Sequence, residues 1–234
     1  MAQLPLLAKD NLVFPPIDSA LREPEGLLAA GGDLSVARLS EAYRRGIFPW
    51  FDDDQPILWW SPDPRVVLFP EHFKPSRSLG KLLRQHRFEV SLNRAFDDVI
   101  EACSEPRGYS AGTWITRDMR VAYKGMHQAG LAHSVECFRD GNLVGGLYGV
   151  GLGNLFFGES MFHRERDASK VAFAHLVRLL RDHGCPLIDC QIGNPHLSSL
   201  GATEIARNKF VQFLDQMDDA PIDWQALPRT MPPW

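Results

Sequence analysis

The chain has 234 residues, 44% of them hydrophobic and 23% charged, which allows one or two domains around a sizeable core and excludes a disordered chain. No apolar run reaches the roughly 18 residues of a membrane span, and MAQLPLLAKD is too short and too interrupted for a secretory signal, so a cytoplasmic protein without a membrane partner is expected. The net charge of −4 excludes a surface coated by nucleic acid all round while leaving room for one basic patch.

Cys103, Cys137, Cys185 and Cys190 form no CxxC and fall at no metal-ligand spacing, which points to buried thiols and to no bound metal. In chain order, Ser35 is placed to cap a helix over VARLSEAYRR, with Gly46 just past its end. Aromatic loops follow at 45–51 and 57–65, where Pro49, Pro62 and Pro64 forbid a long regular element. The segment 76–87 reads as a helix with sorted charges: Arg77, Lys81 and Arg84 share one side, and Leu79, Leu82 and Leu83 the other. Lys74 and Arg87 flank it, and no acid interrupts 74–87. Such a face is either a solvated surface or a seat for phosphates. Asn93 and Thr116 are candidate caps of two further helices, the second ending near Gly130.

Beyond Gly130 the periodicity becomes that of strands. AHSVECFR, LVGGLYGV and LFFGESMF are separated by the turns DGN and GLGN, which predicts an antiparallel meander. A helix from about Ala168 to His183, closed by Gly184, leads to the strand PLIDCQI, a crossover that returns the chain to a mixed sheet with a crevice at the strand ends. The boundary between two domains is expected near residue 100, giving 1–100 and 101–234.

Strand alternation sends Asp189 and Gln191 to one face, and groups Phe157, Glu159 and Met161 on another. A carboxylate between an aromatic and a thioether costs several kcal/mol to bury unless it is paired. Asp189, Gln191 and Glu159 are therefore the candidate catalytic constellation.

GLLAAGGDLS (26–35), AYRRGIFPW (42–50), LWWSPDPR (58–65), GTWIT (112–116), GGLYGV (145–150), GESMF (158–162), ASK (168–170), LIDCQ (187–191) and HLSSLGA (196–202), read together, resemble the bacterial leucyl/phenylalanyl-tRNA–protein transferases over about residues 12–205. The resemblance implies an α+β fold: a C-terminal acetyltransferase-like (GNAT) mixed sheet flanked by helices, behind a smaller N-terminal α/β domain. It implies transfer of Leu or Phe, less readily Met, from Leu-tRNA, Phe-tRNA or Met-tRNA to proteins beginning with Arg or Lys, for N-end rule degradation, by an enzyme expected to be a monomer.

The donor ester is already activated, so no cofactor is needed. Gln191 is assigned to positioning the amine or carbonyl, with Asp189 orienting it and attracting the cationic acceptor. Leu147, Phe156, Phe157, Met161, Phe173 and Ile188 are candidates for the aminoacyl pocket. Trp50, Trp114, Tyr43 and Tyr123 are candidates for the terminal adenosine, while Trp59 and Trp60 are expected to pack between the domains. Lys74, Arg77, Lys81, Arg84 and Arg87 are candidates for the tRNA backbone. Two alternatives stand beside this reading: an acyl-CoA-dependent N-acetyltransferase on the same fold, disfavoured because HRERDASKVAF contains no glycine for a pyrophosphate loop, and a non-catalytic tRNA-binding protein.

Overall fold

The computed structural model describes residues 4–106, 114–217 and 222–234; Gly112 and Thr113 of the GTWIT motif lie outside them. A small sheet takes β1 (Leu6–Leu7), β2 (Leu27–Gly31), β3 (Phe48–Pro49) and β4 (Leu58–Trp60), ordered β1-β2-β4-β3. β3 and β4 are short because the prolines of the two aromatic loops interrupt them. Helix α1 (Val36–Arg44) lies between β2 and β3, and Ser35 caps it by accepting the Arg38 N–H.

The larger sheet holds β5 (Arg65–Leu68), β6 (Glu89–Leu92), β7 (Ala132–Arg139), β8 (Asn142–Leu152), β9 (Leu155–His163), β10 (Ile188–Gln191) and β11 (Thr203–Ile205), ordered β11-β5-β10-β9-β8-β7-β6. The helices after α1 are α2 (Arg77–Leu83), α3 (Phe96–Ser104), α4 (Arg117–Gln128), α5 (Ala168–Asp182), α6 (Pro195–Ser199) and α7 (Arg207–Asp215). This is an α+β chain with a mixed sheet: β9 and β10 pair in parallel, joined through α5, and the remaining neighbours are antiparallel. The meander predicted over 132–162 is β7-β8-β9, and its first turn places Asp140 at φ 50° and Gly141 at φ 78°, the left-handed pair a tight hairpin requires.

Residue 100 falls inside α3, and β5 and β6, which precede it, are strands of the larger sheet. Asn93 is not a cap: the residue before α3 is Ala95, and Asn93 bonds the Ser134 N–H and the His133 ring instead. Thr116 and Ser76 do cap, accepting the N–H groups of Met119 and Leu79.

Apolar side chains cover both faces of the larger sheet. Phe156, Leu147, Phe173, Leu176 and Ile188 share one core with α5 and α2. Phe157, Tyr148, Val150 and Phe162 share the other with α3, α4 and Tyr43, Phe48 and Trp59 of the N-terminal part, so one continuous core ties the small sheet to the large one. Trp59 is fully enclosed there and donates its indole N–H to the Gly31 carbonyl.

All four cysteines are buried free thiols, and burial pushes the thiols of Cys137 and Cys185 up to about 12, which leaves them unreactive. Among the described residues no helix is long and apolar enough to cross a membrane. The last residues run along the outer edge of β6, where the Leu92 N–H bonds the Arg229 carbonyl at 2.7 Å and the Met231 N–H bonds the Val90 carbonyl at 2.9 Å. Arg178 of α5 holds the same segment through the Pro233 carbonyl at 2.8 Å and the Trp234 ring.

Candidate active site

β9 and β10 are paired only through Ile188 with Phe156 and Asp189 with Phe157. Beyond that, β9 continues to His163 while β10 ends, and a cavity of about 1260 Å³ opens at the split. Its position is the one expected of a crevice at the carboxyl ends of parallel strands.

Two local distortions decide what faces this cavity. Along β8 and β9, Gly149 pairs with Gly158 and Tyr148 with Ser160, leaving Glu159 as the extra residue of a bulge. A Cβ on Gly149 would lie 2.3 Å from the Phe157 carbonyl oxygen, so this register needs glycine. The extra residue breaks the alternation expected from sequence. Met161 lies with Leu147 and Phe156 on the α5 side, and Glu159 turns to the tyrosines. The second distortion is at Gln191, whose φ of 62° ends β10 next to a shift in its register with β5. Gln191 consequently lines the cavity, whereas Asp189 does not.

Glu159 is the hub. Its Oε1 accepts from the Tyr43 hydroxyl at 2.7 Å and from Gln191 Nε2 at 2.8 Å, and its Oε2 accepts from the Tyr123 hydroxyl at 2.8 Å. The Gln191 bond bridges the split strands, and among the described residues nothing occupies the amide oxygen of Gln191. Tyr43 and Tyr123 are also hydrogen-bonded to each other. The ring has three oxygen–oxygen contacts but only two phenolic hydrogens; a proton on Glu159 completes it, one tyrosine then accepting from the carboxyl and donating to the other, which donates back to the second carboxyl oxygen. Burial raises the Glu159 carboxyl to about 7, against the lowering effect of its three donors. Tyr43 and Tyr123 are fully enclosed and do not reach the cavity, so they support Glu159 and are not stacking surfaces for a base, as the sequence had suggested.

Asp189 is likewise corrected. It is fully buried and takes a bidentate pair from Arg65, with Nε at 2.8 Å from Oδ1 and Nη2 at 2.6 Å from Oδ2. The Arg65 guanidinium is sandwiched between the rings of Phe48 and Phe210, at 4.8 and 4.7 Å. With its charge neutralised behind the cavity wall, Asp189 neither draws in a cation nor touches the Gln191 amide. It accepts the Gln191 backbone N–H at 2.9 Å and so holds the left-handed turn that aims Gln191. Arg65, at the end of the quoted LWWSPDPR motif, escaped notice; an arginine opening the apolar run RVVL was the available signal.

Of the pocket candidates, Leu147, Phe156, Met161, Phe173 and Ile188 line the cavity together. Phe157 does not: it faces the opposite core, with its ring 5.2 Å from that of Tyr43. Trp50 and Trp114 both line the cavity, and Trp50 is 39% exposed at its mouth. Trp60 backs Trp50, its indole N–H donated to the Trp50 carbonyl at 2.6 Å. The five basic residues from Lys74 to Arg87 are exposed, and none forms an ion pair among the described residues; they lie outside the cavity, around α2, which packs on α5. His163, Arg164, Arg166 and Lys170, on the cavity rim, were missed because the segment was read only for its lack of glycine.

The model of the leucyl/phenylalanyl-tRNA protein transferase family matches residues 67–215, and that of the family's N-terminal domain matches residues 32–63. This chain belongs to the leucyl/phenylalanyl-tRNA protein transferase family. A leucyl/phenylalanyl-tRNA–protein transferase of Pseudomonas aeruginosa is 59% identical over 92% of this chain and 95% of its own length. One of Chromohalobacter salexigens is 58% identical over 96% of this chain and 89% of its own. Among solved structures, L-PGS from Bacillus licheniformis aligns with a TM-score of 0.38 at 10% identity, over 68% of this chain and 51% of that one, so this chain spans about half of that protein.

In this family member, Asp189→Ala strands the Arg65 charge between two rings, and a loss of about 3–5 kcal/mol in urea unfolding is expected; unchanged stability would remove the pair from its structural role. Glu159 gives a pH signature. Its folded carboxyl lies at about 7 against 4.5 in the unfolded chain, so the folded state holds the extra proton between these values. Its contribution is full below pH 4.5 and is lost as pH rises through about 7, by at most about 3 kcal/mol. Glu159→Gln should abolish that decline, measured as unfolding free energy against pH for both proteins; parallel profiles would contradict the shared proton.

Proposed function

We propose that this chain transfers Leu or Phe, and less readily Met, from aminoacyl-tRNA to the N-terminal amine of proteins beginning with Arg or Lys, marking them for N-end rule degradation in the cytoplasm, and that it acts as a monomer. One observation carries the reading: an apolar pocket and a polar bridge meet in a single cavity at the β9/β10 split. Leu147, Phe156, Met161, Phe173 and Ile188 offer a lining suited to an unbranched-β side chain. The same parallel split beside α5 is our ground for reading the larger sheet as acetyltransferase-like (GNAT).

The chemistry asks little of the protein. The acceptor α-amine, with an unperturbed pKa of about 7.7–8.0, keeps a neutral fraction at cellular pH and attacks the ester carbonyl of the bound donor. A C–N bond forms, the ester C–O bond breaks, and the proton lost by the amine ends on the ribose oxygen that leaves. The amide oxygen of Gln191 accepts an N–H of the incoming amine and orients it, while Nε2 stays tied to Glu159. Asp189 and Arg65 act only through the Gln191 backbone. Attraction of the cationic acceptor falls to Glu159, which becomes a carboxylate as pH rises past about 7.

Trp50 and Trp114 provide flat surfaces for the terminal adenosine, and the exposed cations around α2 hold the acceptor stem by its phosphates.

A single mixture of labelled Leu-tRNA, acetyl-CoA and an Arg-initiated peptide tests the reading. Label is expected on the peptide with no acetyl group; acetylation would make the chain an N-acetyltransferase, and retained tRNA without product a binding module. Reversing Arg77, Lys81 and Arg84 to Glu together is expected to raise the KM for charged tRNA at least about tenfold and to flatten its salt dependence. An unchanged KM would make the patch plain solvated surface.

A further inference from the structure

The N-terminus of α5 opens into the cavity with its donors unfilled. α5 is 15 residues long, and the residue that caps it, Asp167, has φ 66° and makes no capping bond with its side chain. The Asp167 carboxylate turns aside to Lys170 at 3.1 Å and to Arg166 at 3.6 Å. The backbone N–H groups of Ser169 and Lys170, the two that a cap would satisfy, have no partner among the described residues. The Ser169 side chain is the independent observation. It is only 4% exposed, its hydroxyl makes no hydrogen bond among the described residues, and it lines the cavity. The hydroxyl oxygen is not sealed in the interior, so it stands open to a group that enters the cavity.

Place on the helix gives the arrangement direction. Ser169, Phe173 and Leu176 all line the cavity and form one stripe of α5, so the polar end lies one turn, about 5.4 Å, from the apolar pocket. The N-terminus is also pinned: a Cβ on Gly145 would come within 2.5 Å of Ala168 Cβ and 3.1 Å of Ser169 N, and glycine there lets β8 abut the first turn. Lys170, Arg166, Arg164 and His163 surround the opening, with Asp167 and Glu105 as the acids on the same rim. Glu105 is occupied by Arg164 at 2.6 Å.

We infer that the first turn of α5, through the N–H groups of Ser169 and Lys170 and the Ser169 hydroxyl, is a phosphate subsite for the 5′-phosphate of the terminal adenosine of the donor. The inference rests on reading the cavity as the site of a tRNA end. Helix dipole and orphan donors favour a dianion or phosphodiester there. A phosphate so held fixes the nucleotide at one end while the aminoacyl side chain enters the pocket one turn along the same helix, which places the ester between them, near Gln191.

The test compares 5′-AMP with adenosine by titration calorimetry on the full chain, with CoA as a third ligand and transfer from charged tRNA assayed separately. Wild type is expected to bind 5′-AMP at least about tenfold more tightly than adenosine. Ser169→Asp puts a carboxylate on the same N–H donors, a change that helix N-termini tolerate, and is expected to bring that ratio to about one with adenosine binding intact. Ser169→Ala should lower it about threefold. A wild-type ratio near one, an unchanged ratio in Ser169→Asp, or CoA binding more tightly than 5′-AMP would overturn the subsite. Intact 5′-AMP preference with no transfer from charged tRNA would sink the proposed function and leave the phosphate subsite standing.

Discussion

A single charge pair, Arg65 with Asp189, sits between two phenyl rings and sets the course of the chain where the cavity begins. Separation from water makes such a pair costly to assemble and more costly to break. What it secures is geometric. The carboxylate that neutralises Arg65 also accepts the N–H of Gln191, and that bond holds a backbone conformation that residues with side chains seldom adopt. Gln191 then leaves the strand's alternation and reaches across the gap to Glu159. Without the pair, β10 has no reason to stop where it does, and the two parallel strands have no reason to part there.

The second fixed point is the bulge that releases Glu159. It turns a carboxyl group towards two tyrosines that enter from α1 and α4, so three elements distant in sequence share one ring of hydroxyl and carboxyl oxygens. Because the partners polarise one another, the ring is expected to be stiffer than separate bonds. The same bulge throws Met161 to the other face, where it completes the apolar wall. One inserted residue therefore supplies both the polar and the apolar halves of the cavity lining.

The sequence showed plainly those features fixed by neighbours along the chain. Ser35, Ser76 and Thr116 announce their helices, Asp140-Gly141 its hairpin, and the apolar periodicity of 168–182 its helix. Five of the six proposed pocket residues reach the cavity, four placed by strand and helix periods and Met161 by the bulge. What escaped depends on partners far away. Arg65 and Asp189 are 124 positions apart, and Glu159 becomes a bulge only because Gly149 and Gly158 meet across two strands. Strict alternation, applied without knowledge of that register, rightly kept Phe157 with Glu159 but wrongly kept Met161 with them. Tyr43 and Tyr123 fell to the same cause: an aromatic ring looks like a stacking surface until the hub it serves is located. Strands β5 and β6 are only four residues each, too short for periodicity to reveal.

The segment that runs along β6 covers the hydrogen-bonding groups of an outermost strand, and Arg178 and Trp234 fasten it to α5. An uncovered strand of this kind offers a template on which another molecule can add its own strand. With that edge filled by residues of the same chain, another strand can add to β6 only where the clasp lets go. It also means that a group attached at Trp234 competes with the Arg178 contacts that hold the clasp in place.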